Sequence, residues 1–70
     1  MNYQRVSSSS IDEVGYDPGQ RTLAICFHTG WEYHYADVPR EIFETLLSAS
    51  SIGGYFNFDI RDSYPYQRIR

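Results

Sequence analysis

The sequence predicts an α+β domain: a three-stranded antiparallel meander at about residues 8–16, 21–27 and 31–37. One face is covered by a helix at about 39–49 and a shorter helix at about 51–61. Three observations lead there. Two runs, Leu23-Ala24-Ile25-Cys26-Phe27 and Trp31-Glu32-Tyr33-His34-Tyr35, alternate in the two-residue period of strands and flank a glycine-containing turn. Downstream, Ile42, Phe43, Leu46 and Leu47 recur at helical spacing. The chain has 70 residues, which is room for one domain and no more.

In chain order, residues 1–5 are polar and expected to fray. The run Ser7–Ser10 suits either an edge strand or hydroxyls that bond local backbone groups. Ile11 is out of phase with Val14 and Tyr16, and a bulge near Asp12-Glu13 repairs the alternation. Asp17-Pro18-Gly19-Gln20 is a turn signal, and pairing Tyr16 with Arg21 across it sets Val14 opposite Leu23. For the next hairpin, a two-residue loop at Thr29-Gly30 pairs Phe27 with Glu32 and mixes core with polar faces. A three-residue loop, His28-Thr29-Gly30, pairs Phe27 with Trp31, Ile25 with Tyr33 and Leu23 with Tyr35. Register must gather the apolar set on one face, so the longer loop is preferred, with Gly30 supplying a left-handed residue.

Pro39 holds Val38 extended and suits the first helical position, with Glu41 third, where its carboxylate reaches back to the cap. The helix ends near Ala49. Ser51 is an acceptable cap for the second helix, whose Tyr55, Phe56 and Ile60 share a face. Gly53 and Gly54 in its first turn point to close packing or a turn. Residues 64–70 form a tail, extended around Pro65, that packs back or adds an edge strand.

With one cysteine, Cys26, no internal disulfide exists to reinforce a small core. Seven Tyr, four Phe and one Trp supply large buried area instead. No apolar run reaches the length of a membrane span, and Met1–Arg5 do not lead into a signal-peptide core, so the expected setting is cytoplasmic. The net charge of −3 argues against indiscriminate polyanion binding. Residues 1–60 carry three Arg against eight acids, −5, while 61–70 carry three Arg against Asp62, +2. Every basic side chain is Arg, whose planar fork suits phosphates, carboxylates and aromatic faces.

Catalytic arrangements have little under them. Ser9, His34 and Asp17, or Cys26 with His28, supply the residue types of a nucleophilic site, but there is no Gly-x-Ser-x-Gly elbow. One Cys and two His without paired spacing do not make a zinc site. Tyr33 and Tyr35 offer a stacking platform for unpaired bases; sharing a face with Trp31 opposite the helix stripe, they are read instead as core.

Val6, Ser8, Ser9 and Ile11 are followed by Val14-Gly15-Tyr16-Asp17, Thr22-Leu23, Phe27, Gly30 and the Tyr33-His34-Tyr35 centre. Val38-Pro39, Leu46, Ala49, Ser51, Gly53, Tyr55-Phe56-Asn57, Ile60, Tyr64 and Arg68 complete an ordered set. That set, over roughly residues 6–69, resembles the KTSC domain, named for the C-terminal extension of some lysyl-tRNA synthetases and also found as small stand-alone bacterial proteins. The resemblance brings no established activity and suggests RNA or a protein of the translation machinery as candidate partner; together with the residue reading above, the expectation is a non-enzymatic accessory module without cofactor or metal. Two surfaces are candidates for it. Arg61, Tyr64, Tyr66, Arg68 and Arg70 form an aromatic-basic cluster suited to stacking and phosphate contact. Thr22, Cys26, Glu32 and His34, with Ala24, lie on the sheet face away from the helix stripe and suit a protein partner or a second copy, which leaves the oligomeric state open.

Overall fold

The computed structural model describes residues 1–70. Its frame is a five-stranded antiparallel sheet in the order β1-β2-β3-β4-β5, each strand beside its sequence neighbour. The strands are β1 (Asn2–Arg5), β2 (Ile11–Asp17), β3 (Thr22–Phe27), β4 (Glu32–Tyr35) and β5 (Tyr66–Arg68). Helix α1 (Arg40–Ser48) and helix α2 (Ile52–Tyr55), which runs on into a π turn at Phe56–Ile60, lie between β4 and β5 in the chain.

The expected three-strand meander is therefore the centre of a wider sheet. Residues 1–5 do not fray: Asn2–Arg5 pair with Glu13–Tyr16. The tail adds β5, with Tyr66 opposite Tyr35 and Arg68 opposite Tyr33. Both added strands are polar and exposed along their whole length, so neither shows the alternation that marks a half-buried strand.

The β3–β4 hairpin has the three-residue loop and the expected register, Leu23 opposite Tyr35 and Ile25 opposite Tyr33. The Phe27 amide bonds the Trp31 carbonyl at 2.9 Å, and Gly30 sits at φ 96°. The ladder shifts between Ile11 and Glu13, so the bulge falls where the phase required it. The first hairpin differs. Asp17 pairs with Thr22, and Tyr16 with Leu23 rather than Arg21. Arg21 takes a left-handed φ of 55° inside the turn, and the Asp17 carboxylate accepts from the Gly19 and Gln20 amides at 3.0 and 3.3 Å. The shift is two residues, so the buried face is unchanged.

Pro39 lies just outside α1, and no side chain caps the helix, so Glu41 does not close a capping box. Leu46 is fully buried and Phe43 stacks on Tyr16 with centroids 5.0 Å apart, which lays α1 over the β2 side of the sheet. The Tyr16 hydroxyl donates to the Val38 carbonyl at 2.5 Å, tying the start of the helix to that strand. Ser51 caps α2 by accepting from the Gly54 amide at 3.1 Å. Both glycines of α2 are close approaches: a Cβ would stand 3.0 Å from Ser10 Oγ at Gly53 and 2.9 Å from Ser51 Oγ at Gly54. The Ser8 hydroxyl accepts from the Ser10 and Ile11 amides, so the serine run bonds its own backbone rather than forming a strand. Ile11, Val14, Leu23, Ile25, Val38, Leu46 and Ile60 form the sealed core between sheet and helices. No helix is long and apolar enough to cross a membrane.

Candidate functional site

The helices cover the sheet unevenly. Beside them, along β4 and β5, the same sheet face opens into a groove of about 620 Å³. Its chemistry comes from strand periodicity. Trp31, Tyr33 and Tyr35 are two residues apart, so their rings project on one side and stack in a column, 6.4 Å between successive centroids with planes 21° apart. Phe56 meets Tyr35 and Phe27 edge-on at 5.5 and 5.7 Å and closes the floor. On the outer side Tyr66 lies 5.5 Å from Tyr33 and 5.6 Å from Tyr35. Arg61 and Asp62, just after the π turn, reach one rim; Ser9, Ser10, His28 and Asn57 reach the other lining positions.

The burial of the column is graded. Tyr35 is in the core at 3 % exposure and Tyr33 is intermediate, whereas Trp31 is 46 % exposed. Burial and then the neighbouring Tyr33 and Tyr66 push the Tyr35 phenol up to about 12, so it stays protonated at ordinary pH. The core reading thus holds for Tyr35, while Trp31 and Tyr33 turn toward the groove. The Arg68 guanidinium sits 4.0 Å from the Trp31 ring centroid, a cation–π contact across the outer end.

The expected aromatic-basic cluster is therefore divided. Arg61 and Tyr66 line the groove, and Arg68 caps its Trp31 end. Tyr64 is half-buried against the core, and Arg70 turns to the opposite face. Register alone assigns Trp31 and Tyr33, the aromatic residues that matter most to the groove, to the core. Their spacing shows that the rings share a face; what it lacks is how far the helices extend across that face.

On the opposite face, Glu32 is buried at 5 % exposure with its carboxylate fully engaged. Oε2 accepts from the Tyr3 hydroxyl at 2.5 Å and from His34 Nε2 at 2.7 Å, and Oε1 accepts from the Arg70 guanidinium at 2.8 Å. An ionised carboxylate only accepts, so His34 Nε2 is the donor in this contact. Burial alone would raise this acid, but the hydrogen bonds from Tyr3, His34 and Arg70 outweigh it and hold Glu32 down at about 2. Its bond lifts the Tyr3 phenol to about 12, and burial followed by the Glu32 charge lifts the Cys26 thiol to about 11. Cys26, paired with Glu32 across the ladder, is thus a buried, protonated thiol. Thr22 lies farther along, lining a second, smaller hollow with His34, Gln67 and Tyr66. No group of three or more His, Cys, Asp or Glu converges as a metal site would require.

Tyr3 reaches Glu32 although β1 and β4 are three strands apart, a flat-sheet separation of roughly 14 Å at the usual spacing of about 4.8 Å. The sheet must curl about this face, and the small residues Gly15, Ala24 and Cys26 inside the curl make room for it. A Cβ on Gly15 would stand 3.0 Å from the Asn2 carbonyl oxygen.

Comparison with known proteins places this architecture. The family model of the KTSC domain matches residues 7–64. An uncharacterized protein of Stutzerimonas stutzeri is 42 % identical over 70 residues, spanning 99 % of each chain. A protein of Tsukamurella paurometabola is 46 % identical over 54 residues, 77 % of this chain and 81 % of that one. The lysine–tRNA ligase of a Nostoc species is 34 % identical over 61 residues, which are 87 % of this chain and 11 % of the ligase. The crystal structure of a KTSC domain protein from Yersinia pestis superimposes with a TM-score of 0.93 at 37 % identity, covering 99 % of this chain and 97 % of that one.

Proposed function

This chain belongs to the KTSC domain family, and from that premise we propose that it is a non-enzymatic accessory module whose aromatic groove binds single-stranded RNA. The observation that carries the reading is the groove itself. Unpaired bases present flat π faces, and Trp31, Tyr33 and Tyr66 stand at an open surface with Arg61 and Arg68 beside them to meet phosphates. Stacking tolerates any base, so such a groove binds strands with little sequence preference. The likeness of the domain to a segment of lysine–tRNA ligases supports RNA as the polymer.

The charge is consistent with a stacking-led site. Only two Arg flank the groove of a chain with net charge −3, so two phosphates at most are neutralised. The logarithm of the binding constant should then fall against the logarithm of salt with a slope of about −1.4, far shallower than for a basic RNA binder. Trp31, the single tryptophan, provides the signal. Titration with a short unstructured oligoribonucleotide should quench its emission, and Tyr66→Ala and Trp31→Ala should each weaken binding by about 1–3 kcal/mol, the latter read by anisotropy of a labelled strand. An unchanged emission and anisotropy at low salt and high RNA would refute the reading.

The face-docking alternative has less beneath it. Cys26 and Glu32 are buried, with Tyr3 and Arg70 engaged over them, and little of the expected interaction face is left to a partner.

A further inference from the structure

The outer wall of the groove is a weakly held element. β5 is three residues long, exposed throughout, and bonded to β4 on one side only. Yet it supplies Tyr66, against Tyr33 and Tyr35, and Arg68, over Trp31. Its near end is tied by the Ala36 amide to the Pro65 carbonyl at 2.8 Å. At the far end the chain returns to one residue. The Glu32 amide bonds the Arg70 carbonyl at 3.0 Å, the Ile69 amide bonds the Glu32 carbonyl at 2.7 Å, and the Arg70 guanidinium bonds Glu32 Oε1 at 2.8 Å.

We infer that Glu32 is a positioning residue for the groove: through Arg70 it clasps β5 from the opposite face of the sheet, holding Tyr66 and Arg68 in place. Side-chain direction makes the division possible. Glu32 points away from the groove, while its strand neighbours Trp31 and Tyr33 point into it, so the clasp touches no ligand. A buried carboxylate is a firm anchor because leaving it unpaired is costly, whereas the exposed guanidinium alone has no reason to stay put. The two oxygens separate the roles: Oε2 serves Tyr3 and His34, and Oε1 serves Arg70 alone.

That separation gives the test, which rests on the RNA reading only for its binding arm. Arg70→Ala removes the clasp; Tyr3→Phe removes a Glu32 partner without touching β5; Arg70→Lys restores the charge. In the free protein, Arg70→Ala should speed hydrogen exchange of the β5 amides about tenfold or more, the scale of a lost charged hydrogen bond. It should also shift Trp31 emission as Arg68 leaves the ring. Arg70→Lys should recover part of both signals, and Tyr3→Phe should leave β5 exchange near wild type. In the binding arm, RNA affinity should fall with β5 protection across the three variants. The inference is overturned if Arg70→Ala leaves β5 exchange and Trp31 emission unchanged, or if Tyr3→Phe loosens β5 as much. Loss of affinity with β5 still protected assigns Arg70 to direct RNA contact and also overturns it. A loosened β5 in a protein that never bound RNA supports the clasp and sinks the RNA reading instead.

Discussion

Glu32 makes a quantitative demand on the pH dependence of stability. Its carboxyl is held at about 2, against a reference of 4.5 for the unfolded chain. An acid whose folded value is depressed contributes stability that is fully present above the unfolded value and is lost as pH falls toward the folded one. The difference between 4.5 and about 2 corresponds to about 3 kcal/mol at 1.36 kcal/mol per unit, and the side chain is buried enough for that figure to survive screening. For a domain this small, whose core supplies only about 3–5 kcal/mol net, it is a large share. Urea unfolding followed by circular dichroism should show wild-type stability falling steeply between pH 4.5 and about 2. Glu32→Gln, which cannot ionise, should be about 3 kcal/mol less stable at pH 7, with the gap closing on acidification. A gap that stays constant from neutral pH down to about 2 would refute the reasoning, and so would a wild-type acid limb no steeper than the variant's. On the alkaline side the sign reverses for phenol and thiol. Tyr3 and Cys26, raised to about 12 and 11, contribute stability below about pH 9 that is lost as they ionise, and Tyr3→Phe should remove part of that limb.

Two glycines should respond to alanine with opposite signs. At Gly15 the new Cβ meets backbone, the Asn2 carbonyl oxygen at 3.0 Å, so β1 must move and the cost is about 1–3 kcal/mol. At Gly53 the same distance is to Ser10 Oγ, the end of an exposed and rotatable side chain, so the helical gain of up to about 1 kcal/mol wins. Thermal melts of the two variants decide both. Leu46→Ala, at a fully buried α1 position, should cost about 2–5 kcal/mol in the same assay, and a loss well below that range would show that α1 is not sealed onto the sheet.

What was legible in the sequence was what local chemistry over-determines. Gly30 and the requirement for one apolar face selected the hairpin loop, and the phase break at Ile11 located the bulge. Pro39 and Ser51 marked the helix starts. β1 and β5 escaped because a polar edge strand is held by its ladder and by distant side chains, not by its own pattern. The two-residue error in the first hairpin came from Arg21, where a left-handed residue without glycine gives no warning. The groove was hidden for a related reason. Tyr33, Arg61 and Tyr66 come from β4, the end of the π turn and β5, and what makes them neighbours is an absence, the stretch of sheet that the helices leave bare. Glu32 was visible as a polar residue on the small-residue face with His34 two positions on, but its other two partners, Tyr3 and Arg70, lie 29 and 38 residues away.

The π turn at Phe56–Ile60 has a consequence for chain length. The Arg61 amide bonds the carbonyl five residues back, at Phe56, so this stretch holds more chain per turn than an α-helix does. The surplus is taken up outside, at Asn57, Phe58 and Asp59, while Phe56 and Ile60 both stay buried. Deleting one of the outer three would close the turn as ordinary α-helix, with the Arg61 amide then four residues from the Phe56 carbonyl and its side chain still at the groove rim. Among relatives, a chain one residue shorter between the groove-floor phenylalanine and the next arginine should therefore keep the same charge at the rim, with an α turn in place of the π turn.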